Sequence, residues 1–173
     1  DAIADYKTKN KSFVRYCALL HSMGVKNYLF PLQLHDPRLQ GVDPHSKDLT
    51  VLQMALIVRE CKINPFYFIR EVARIPGGSE EEPITYNAHR GNIAALWTYL
   101  NHVTYILIQI RQTGKSVGSD FIATWVINYA ATYYTYTLLT KDDKLRASNL
   151  QRLKDIELSL PVFLRMRKKG DIG

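Results

Sequence analysis

Apolar and polar positions repeat along this chain with the period of helices over most of its length. Apolar residues recur at intervals of three and four over 13–20 and 93–103, as they do on one face of an amphipathic helix. We expect Ser12 to cap the first of these helices and Arg90 to begin the second. Residues 25–48 carry several prolines and a glycine and predict irregular structure between helices.

Two further helix starts are marked by capping residues. Thr50 and Gln53 have the spacing of a capping box, in which each side chain bonds the other residue's backbone N–H. Asn64-Pro65 places a capping side chain before a proline at the first helical position. In the helix that follows, we expect Arg70 and Glu71 on the exposed face.

The second half of the chain alternates strand and helix patterns. We expect a surface loop over 74–88, a strand over 105–110 and a helix over 115–129. Residues 133–140 are rich in β-formers and predict a second strand, and a helix capped by Thr140 follows.

This order predicts a fold of the α/β class. We expect a parallel sheet, preceded by a helical N-terminal region. The corresponding division is 1–60 for the helical region and 61–173 for the sheet domain.

Composition narrows the class of protein only moderately. The 173 residues hold 23 Lys and Arg against 16 Asp and Glu, a net charge of +7 that favours polyanionic partners without requiring them. Cys17 and Cys61 have no spacing typical of a metal site or a disulfide framework. No apolar run approaches the roughly 20 residues of a transmembrane helix, so we expect no membrane partner.

One hexapeptide carries specific chemistry: Arg111-Gln112-Thr113-Gly114-Lys115-Ser116, which lies between an apolar run and a predicted helix. A turn that enters a helix offers backbone N–H groups to phosphate oxygens, and glycine permits their close approach. In a P-loop, the lysine reaches the β and γ phosphates and the serine hydroxyl binds Mg²⁺. The alternative is a helix start that reads Gly-Lys-Ser by chance.

The motif departs from the usual P-loop pattern because Gln109 occupies the position of its first glycine. With this departure, the segment Ile110–Ser116 resembles the deviant Walker A motif of phage large terminase subunits, the ATPases that pump DNA into empty capsids. Two more segments are similar to that family: Asn64-Pro65-Phe66-Tyr67-Phe68-Ile69, and the stretch 138–144 with the later Leu160-Pro161. The resemblance spans roughly residues 62–164, with Walker A at 109–116, and it implies an incomplete parallel sheet of the P-loop NTPase type.

The resemblance implies a role for each matching residue. Gln112, Thr113 and Gly114 would supply loop amides to the phosphates, Lys115 would bind them, and Ser116 would hold Mg²⁺. Arg111 matches the family's cis arginine at the γ-phosphate, where a guanidinium stabilises developing negative charge; the alternative is a salt-bridged loop residue. Four side chains are candidates for adenine binding, with core or surface roles as the alternative: Phe66, Tyr67, Arg90 and Asn92.

The resemblance also implies the cofactors and partners. ATP and Mg²⁺ would be the ligands, and double-stranded DNA, the portal and the small terminase subunit the partners of a homo-oligomeric ring. The place of action would be the host cytoplasm, at the capsid portal. No apolar run that ends in Asp-Glu, as a Walker B motif does, follows residue 140. We therefore expect this chain to be part of a longer protein, without Walker B and nuclease regions, and to hydrolyse ATP poorly or not at all.

Two other functions fit the same sequence. A helicase-like P-loop ATPase would share the hexapeptide and its ligands. A non-catalytic basic module that binds nucleic acid or a capsid would carry Gly114-Lys115-Ser116 incidentally.

Overall fold

The computed structural model describes residues 2–76, 82–108, 110, 114–129 and 141–165. Helices dominate, and small antiparallel sheets accompany them, so the protein is of the α/β class. The helices are α1 (Lys11–Ser22), α2 (Val51–Ile63), α3 (Pro65–Tyr67), α4 (Arg90–Leu100), α5 (Lys115–Tyr129) and α6 (Asp143–Ser159). Among the described residues, no helix has the length and apolar content needed to cross a membrane.

The small sheets each consist of two short strands. β1 (Ile3–Ala4) pairs with β2 (Gln33–Leu34), so the N-terminal segment is fixed to the irregular region that follows α1. β3 (Arg74–Ile75) pairs with β4 (Ile84–Thr85) within the segment that was predicted to be a surface loop. That prediction is wrong at these four residues, because they pair as two short antiparallel strands.

Two of the predicted helix caps are confirmed. The side chain of Thr50 accepts from the Gln53 N–H at 3.2 Å, and the Gln53 side chain accepts from the Thr50 N–H at 2.9 Å, which completes the capping box. The Asn64 side chain accepts from the Tyr67 N–H at 3.0 Å. Its amide donates to the buried Glu60 carboxylate at 2.7 Å, so the Asn-Pro turn is also held from α2.

The predicted cap at Ser12 is wrong. Asn10 caps α1, and its side-chain oxygen accepts from the backbone N–H of Ser12 at 3.3 Å. The Ser12 hydroxyl donates to that same oxygen at 2.6 Å and accepts from the Ala88 N–H at 3.1 Å. Ser12 therefore links α1 to the segment before α4. The Asn10 amide makes a second link, because it donates to the carbonyls of Arg70 and Tyr86.

The predicted exposure of Arg70 and Glu71 is also wrong. α3 continues as a turn of π-helix over Phe68–Val72, which carries an extra residue per turn and changes the faces that later side chains occupy. The Arg70 side chain is fully buried and donates from Nε to Glu71 Oε1 at 2.7 Å. Its Nη2 lies 3.7 Å from Asp5 Oδ2, so a buried cation connects the N-terminal segment to this turn.

No parallel sheet is found within the described part of the chain. Residues 105–108 and 110 do not belong to either of the two small sheets of the described structure. The second predicted strand, 133–140, lies outside the described residues, as does Thr140, the predicted cap of α6. The cap within the described part is Asp142, whose carboxylate accepts from the Leu145 N–H at 2.8 Å.

The core gathers side chains from α1, α2, the α3 turn, α4 and α5. Helix α6 joins it mainly through its C-terminal part, where Ile156 and Leu160 are buried. Leu145 and Leu150, in the N-terminal half of α6, remain about half exposed.

Three hydrogen bonds fix α5 to its neighbours. The Trp125 indole donates to the Cys61 carbonyl of α2 at 2.8 Å. Arg152 of α6 donates from Nε to the buried Asp120 carboxylate at 2.9 Å. The Tyr129 hydroxyl donates to the Leu164 carbonyl at 2.9 Å. The helix that follows the hexapeptide is therefore held to its neighbours at its middle and at its C-terminal end.

Candidate functional site

The candidate site begins where α5 begins. Gly114 has φ +72°, a left-handed conformation in which a Cβ would be strained, so glycine is required by the backbone itself. Its carbonyl accepts from the Gly118 N–H at 2.9 Å, which closes the first turn of the helix. Helix α5 therefore starts at Lys115, as the sequence predicts.

This helix start suits an anion. The first N–H groups of a helix have no intrahelical acceptor, and the aligned peptide dipoles make the N-terminus electropositive. The first turn of α5 contains no acidic residue that would oppose an incoming anion. Ser116 is exposed there, so its hydroxyl is accessible to solvent and to a ligand.

The preceding residues of the motif, Arg111, Gln112 and Thr113, lie outside the described residues, together with Gln109. Their predicted roles stay predictions. Within the described part of the chain, no group of three or more His, Cys, Asp or Glu side chains could hold a metal ion.

Tyr86 lies directly against the motif. Its hydroxyl donates to the Gly114 carbonyl at 3.2 Å and accepts from the Asn92 amide at 2.8 Å. Burial raises the pKa of the Tyr86 phenol, so the hydroxyl keeps its proton and can donate it. Asn92, one of the four adenine candidates, is thereby brought next to the phosphate loop, with its amide 3.6 Å from the position of a Cβ on Gly114.

Two other adenine candidates, Phe66 and Tyr67, lie in the core. The Phe66 ring packs edge-on against Phe30, with ring centroids 5.3 Å apart. Tyr67 is fully buried, its ring lies 5.9 Å from the Arg70 guanidinium carbon, and burial raises the pKa of its phenol well above the ordinary value. These contacts favour the core role, while adenine binding stays a prediction.

The fourth adenine candidate, Arg90, lies at an open cleft of about 510 Å³, a volume within the usual range of small-molecule sites. The first turns of α1 and α4 meet there, and the cleft is lined by Ser12, Arg15, Tyr16, Leu19, Asn87, Ala88, His89 and Arg90. No acidic side chain is among these lining residues. The His89 ring caps α4 by accepting from the Gly91 N–H at 3.2 Å. Arg15 of α1 and Arg90 at the start of α4 both line the cleft, so cationic side chains border it from both elements, beside Tyr16 and Leu19.

Sequence reasoning missed Tyr86 and Gly118. A Cβ on Gly118 would lie 3.0 Å from the Tyr86 hydroxyl, closer than such atoms normally approach, so this glycine makes room for the tyrosine. A glycine inside a helix pattern is a sequence signal for close approach, and it was available here. Tyr86 carries no such signal, because Gly114, whose carbonyl it contacts, lies 28 residues further along the chain.

Comparison with known proteins gives no relative for this chain. No protein-family model matches it, and searches of curated proteins and of solved structures give no significant match.

Proposed function

We propose that this chain is the ATP-binding part of a DNA-packaging motor of the phage large terminase type, in which ATP hydrolysis drives double-stranded DNA into a capsid. The observation that carries the proposal is the helix start: a left-handed Gly114 leads into Lys115 at the first position of a 15-residue helix. This is the backbone arrangement that a phosphate loop requires. Lys115 and Ser116 would bind the phosphates and Mg²⁺, and Arg111 would act at the γ-phosphate.

The pattern of exposed and half-buried side chains over residues 105–108 and 110 supports the proposal of a strand before the motif. Ile106, Ile108 and Ile110 are 79–90% exposed, whereas Tyr105 and Leu107 are only about 40% exposed. Alternation with a period of two is typical of an extended segment with one face against the protein. We propose that 105–110 and 133–140 are strands of a parallel sheet of the P-loop type, with the hexapeptide at the carboxyl end of the first.

The cleft at Arg90 is the place that we propose for the adenine base. Asn92 lies two residues after Arg90 in the first turn of α4, and Tyr86 joins it to Gly114 through the two hydrogen bonds described above. A nucleotide that spans from the cleft to the start of α5 would have its base beside Tyr16 and its phosphates at the helix N-terminus. Arg15 and Arg90 would add favourable potential along that path.

The test of nucleotide binding is thermal stabilisation. We expect a non-hydrolysable ATP analogue with Mg²⁺ to raise the midpoint of thermal unfolding, because a ligand that binds only the folded state stabilises it by mass action. The variant Lys115→Ala should lose this increase, and Lys141→Ala, which removes an exposed lysine outside the motif, should retain it. A wild-type chain that the analogue does not stabilise would favour the non-catalytic basic module.

A second experiment separates the packaging motor from a helicase-like ATPase. We expect the chain, with its net charge of +7, to bind duplex DNA more tightly than a single strand of equal length, in the presence of the ATP analogue. A packaging motor acts on intact duplex, whereas a helicase-like enzyme tracks one strand. Fluorescence anisotropy with the two labelled oligonucleotides measures the ratio, and a preference for the single strand would favour the helicase-like alternative.

A further inference from the structure

Tyr86 lies where three elements of the candidate site meet. It follows β4, precedes α4 and is 3% exposed. Its ring packs edge-on against Phe121 of α5, with ring centroids 4.9 Å apart. Its hydroxyl joins the Asn92 amide of α4 to the Gly114 carbonyl. The ring is therefore fixed by packing, and the hydroxyl is fixed by two hydrogen bonds.

The hydrogen bond from Tyr86 to the Gly114 carbonyl also affects the direction of the neighbouring Lys115 N–H. The peptide unit between Gly114 and Lys115 is planar, and its C=O and N–H groups point in opposite directions. Two donors hold this C=O, the Tyr86 hydroxyl at 3.2 Å and the Gly118 N–H at 2.9 Å. A fixed C=O direction fixes the direction of the Lys115 N–H. In a phosphate loop that N–H is one of the donors to phosphate oxygens.

Two glycines are needed for this arrangement. Gly114 adopts φ +72°, which turns its carbonyl towards the tyrosine without strain. Gly118 leaves the space that the tyrosine hydroxyl occupies, 3.0 Å from where a Cβ would be. Helix formation does not explain Gly118, because glycine is a poor helix former in the interior of α5.

We propose that Tyr86 is a positioning residue for the bound triphosphate: its hydroxyl fixes the Gly114–Lys115 peptide so that the Lys115 N–H faces the phosphate oxygens. This inference rests on the proposed nucleotide site and deepens it. Tyr86 acts through the peptide and does not touch the nucleotide. Without the hydroxyl, the Gly118 N–H alone holds the carbonyl, so the peptide is less well fixed, and binding of the triphosphate must then include the cost of ordering it.

The test compares two identical substitutions. Tyr86→Phe keeps the ring and removes the hydroxyl. Tyr129→Phe does the same at the other end of α5, where the hydroxyl donates to the Leu164 carbonyl at 2.9 Å, and serves as the matched control. We expect both variants to lower the thermal midpoint slightly. Only Tyr86→Phe should weaken binding of the ATP analogue with Mg²⁺, by about tenfold, the effect of one hydrogen bond.

A third variant perturbs the same hydrogen bond by changing Gly118, next to the tyrosine hydroxyl, instead of the tyrosine. Gly118→Ala retains the tyrosine and introduces the better helix former, but its Cβ would lie 3.0 Å from the hydroxyl, which must shift to accommodate it and so lengthen the 3.2 Å bond to Gly114. We expect it to remain folded and to show the same loss of affinity, which keeps the test decisive if Tyr86→Phe fails to fold.

The outcomes separate this inference from the proposed function. If the wild-type chain does not bind the analogue, the nucleotide site itself is refuted, and the role of Tyr86 with it. If the wild type binds and both Tyr86→Phe and Gly118→Ala bind equally well, the nucleotide site stands and Tyr86 is only a packing residue. Selective loss of affinity in these two variants, with normal affinity in Tyr129→Phe, supports the positioning role.

Discussion

Replacement of Phe121 by alanine should destabilise the chain by about 3–5 kcal/mol, the usual cost of a large cavity at a fully buried aromatic residue. Phe121 is 0% exposed on the inner face of α5 and packs against the ring of Tyr86. Loss of the Phe121 ring removes its apolar contacts. It also removes the ring against which Tyr86, the residue that donates to the Gly114 carbonyl, is packed. Chemical denaturation with a linear extrapolation measures the free energy of unfolding.

The control for this experiment is Ile127→Ala on the same helix. Ile127 is about half exposed, and alanine is a better helix former, so we expect a change of less than about 1 kcal/mol. Equal destabilisation by the two substitutions would mean that α5 does not pack on the core through Phe121.

Replacement of Arg70 by alanine should cost about 3–5 kcal/mol of folding free energy, because removal of one partner from a buried ion pair leaves the other charge uncompensated. The side chain is fully buried between Asp5 and Glu71, and it also donates from Nη1 to the Pro31 carbonyl. Arg38→Ala is the control, because Arg38 pairs with Asp36 at an exposed position and its loss should change stability little.

The effect of Arg70→Ala should depend on pH in a defined direction. Burial raises the pKa of Asp5 above its ordinary value, and the nearby Arg70 opposes this increase. Removal of Arg70 should raise the pKa further. A carboxyl whose pKa is higher in the folded than in the unfolded chain costs stability as pH rises through the folded pKa. We therefore expect the deficit of the variant, relative to wild type, to be smaller at about pH 4 than at about pH 7; a deficit that grows towards acid would contradict this explanation.

The sequence predicted the features that depend on neighbouring residues. The capping box at Thr50, the cap at Asn64 and the helix that begins at Lys115 each follow from residues within one or two turns of each other, and the structure has all three. Local hydrogen bonds decide such features, so the residues that make them are readable in order along the chain.

The sequence did not predict the burial of Arg70 or the cap at Asn10. The spacing of apolar residues at intervals of three and four predicts exposed and buried faces only for a regular α-helix. The π turn at Phe68–Val72 shifts those faces. The partner of Arg70 is Asp5, far away in sequence, and a charge is assigned to the surface unless such a partner is known. The sequence does not distinguish Asn10 from Ser12 as the cap, because both are good capping residues. In the structure, the Ser12 hydroxyl bonds the Ala88 N–H, and Asn10 caps the helix.

By itself the sequence determined the helices, several of their caps and the position of the hexapeptide at a helix start, because these depend on short-range hydrogen bonds and on the conformational preferences of glycine and proline. Only the tertiary structure decided what lies against that helix start. The Tyr86 hydroxyl, the Asn92 amide and the space left by Gly118 meet at Gly114, although they come from three separate segments of the chain. Their meeting depends on packing between elements, which no local pattern of residues encodes.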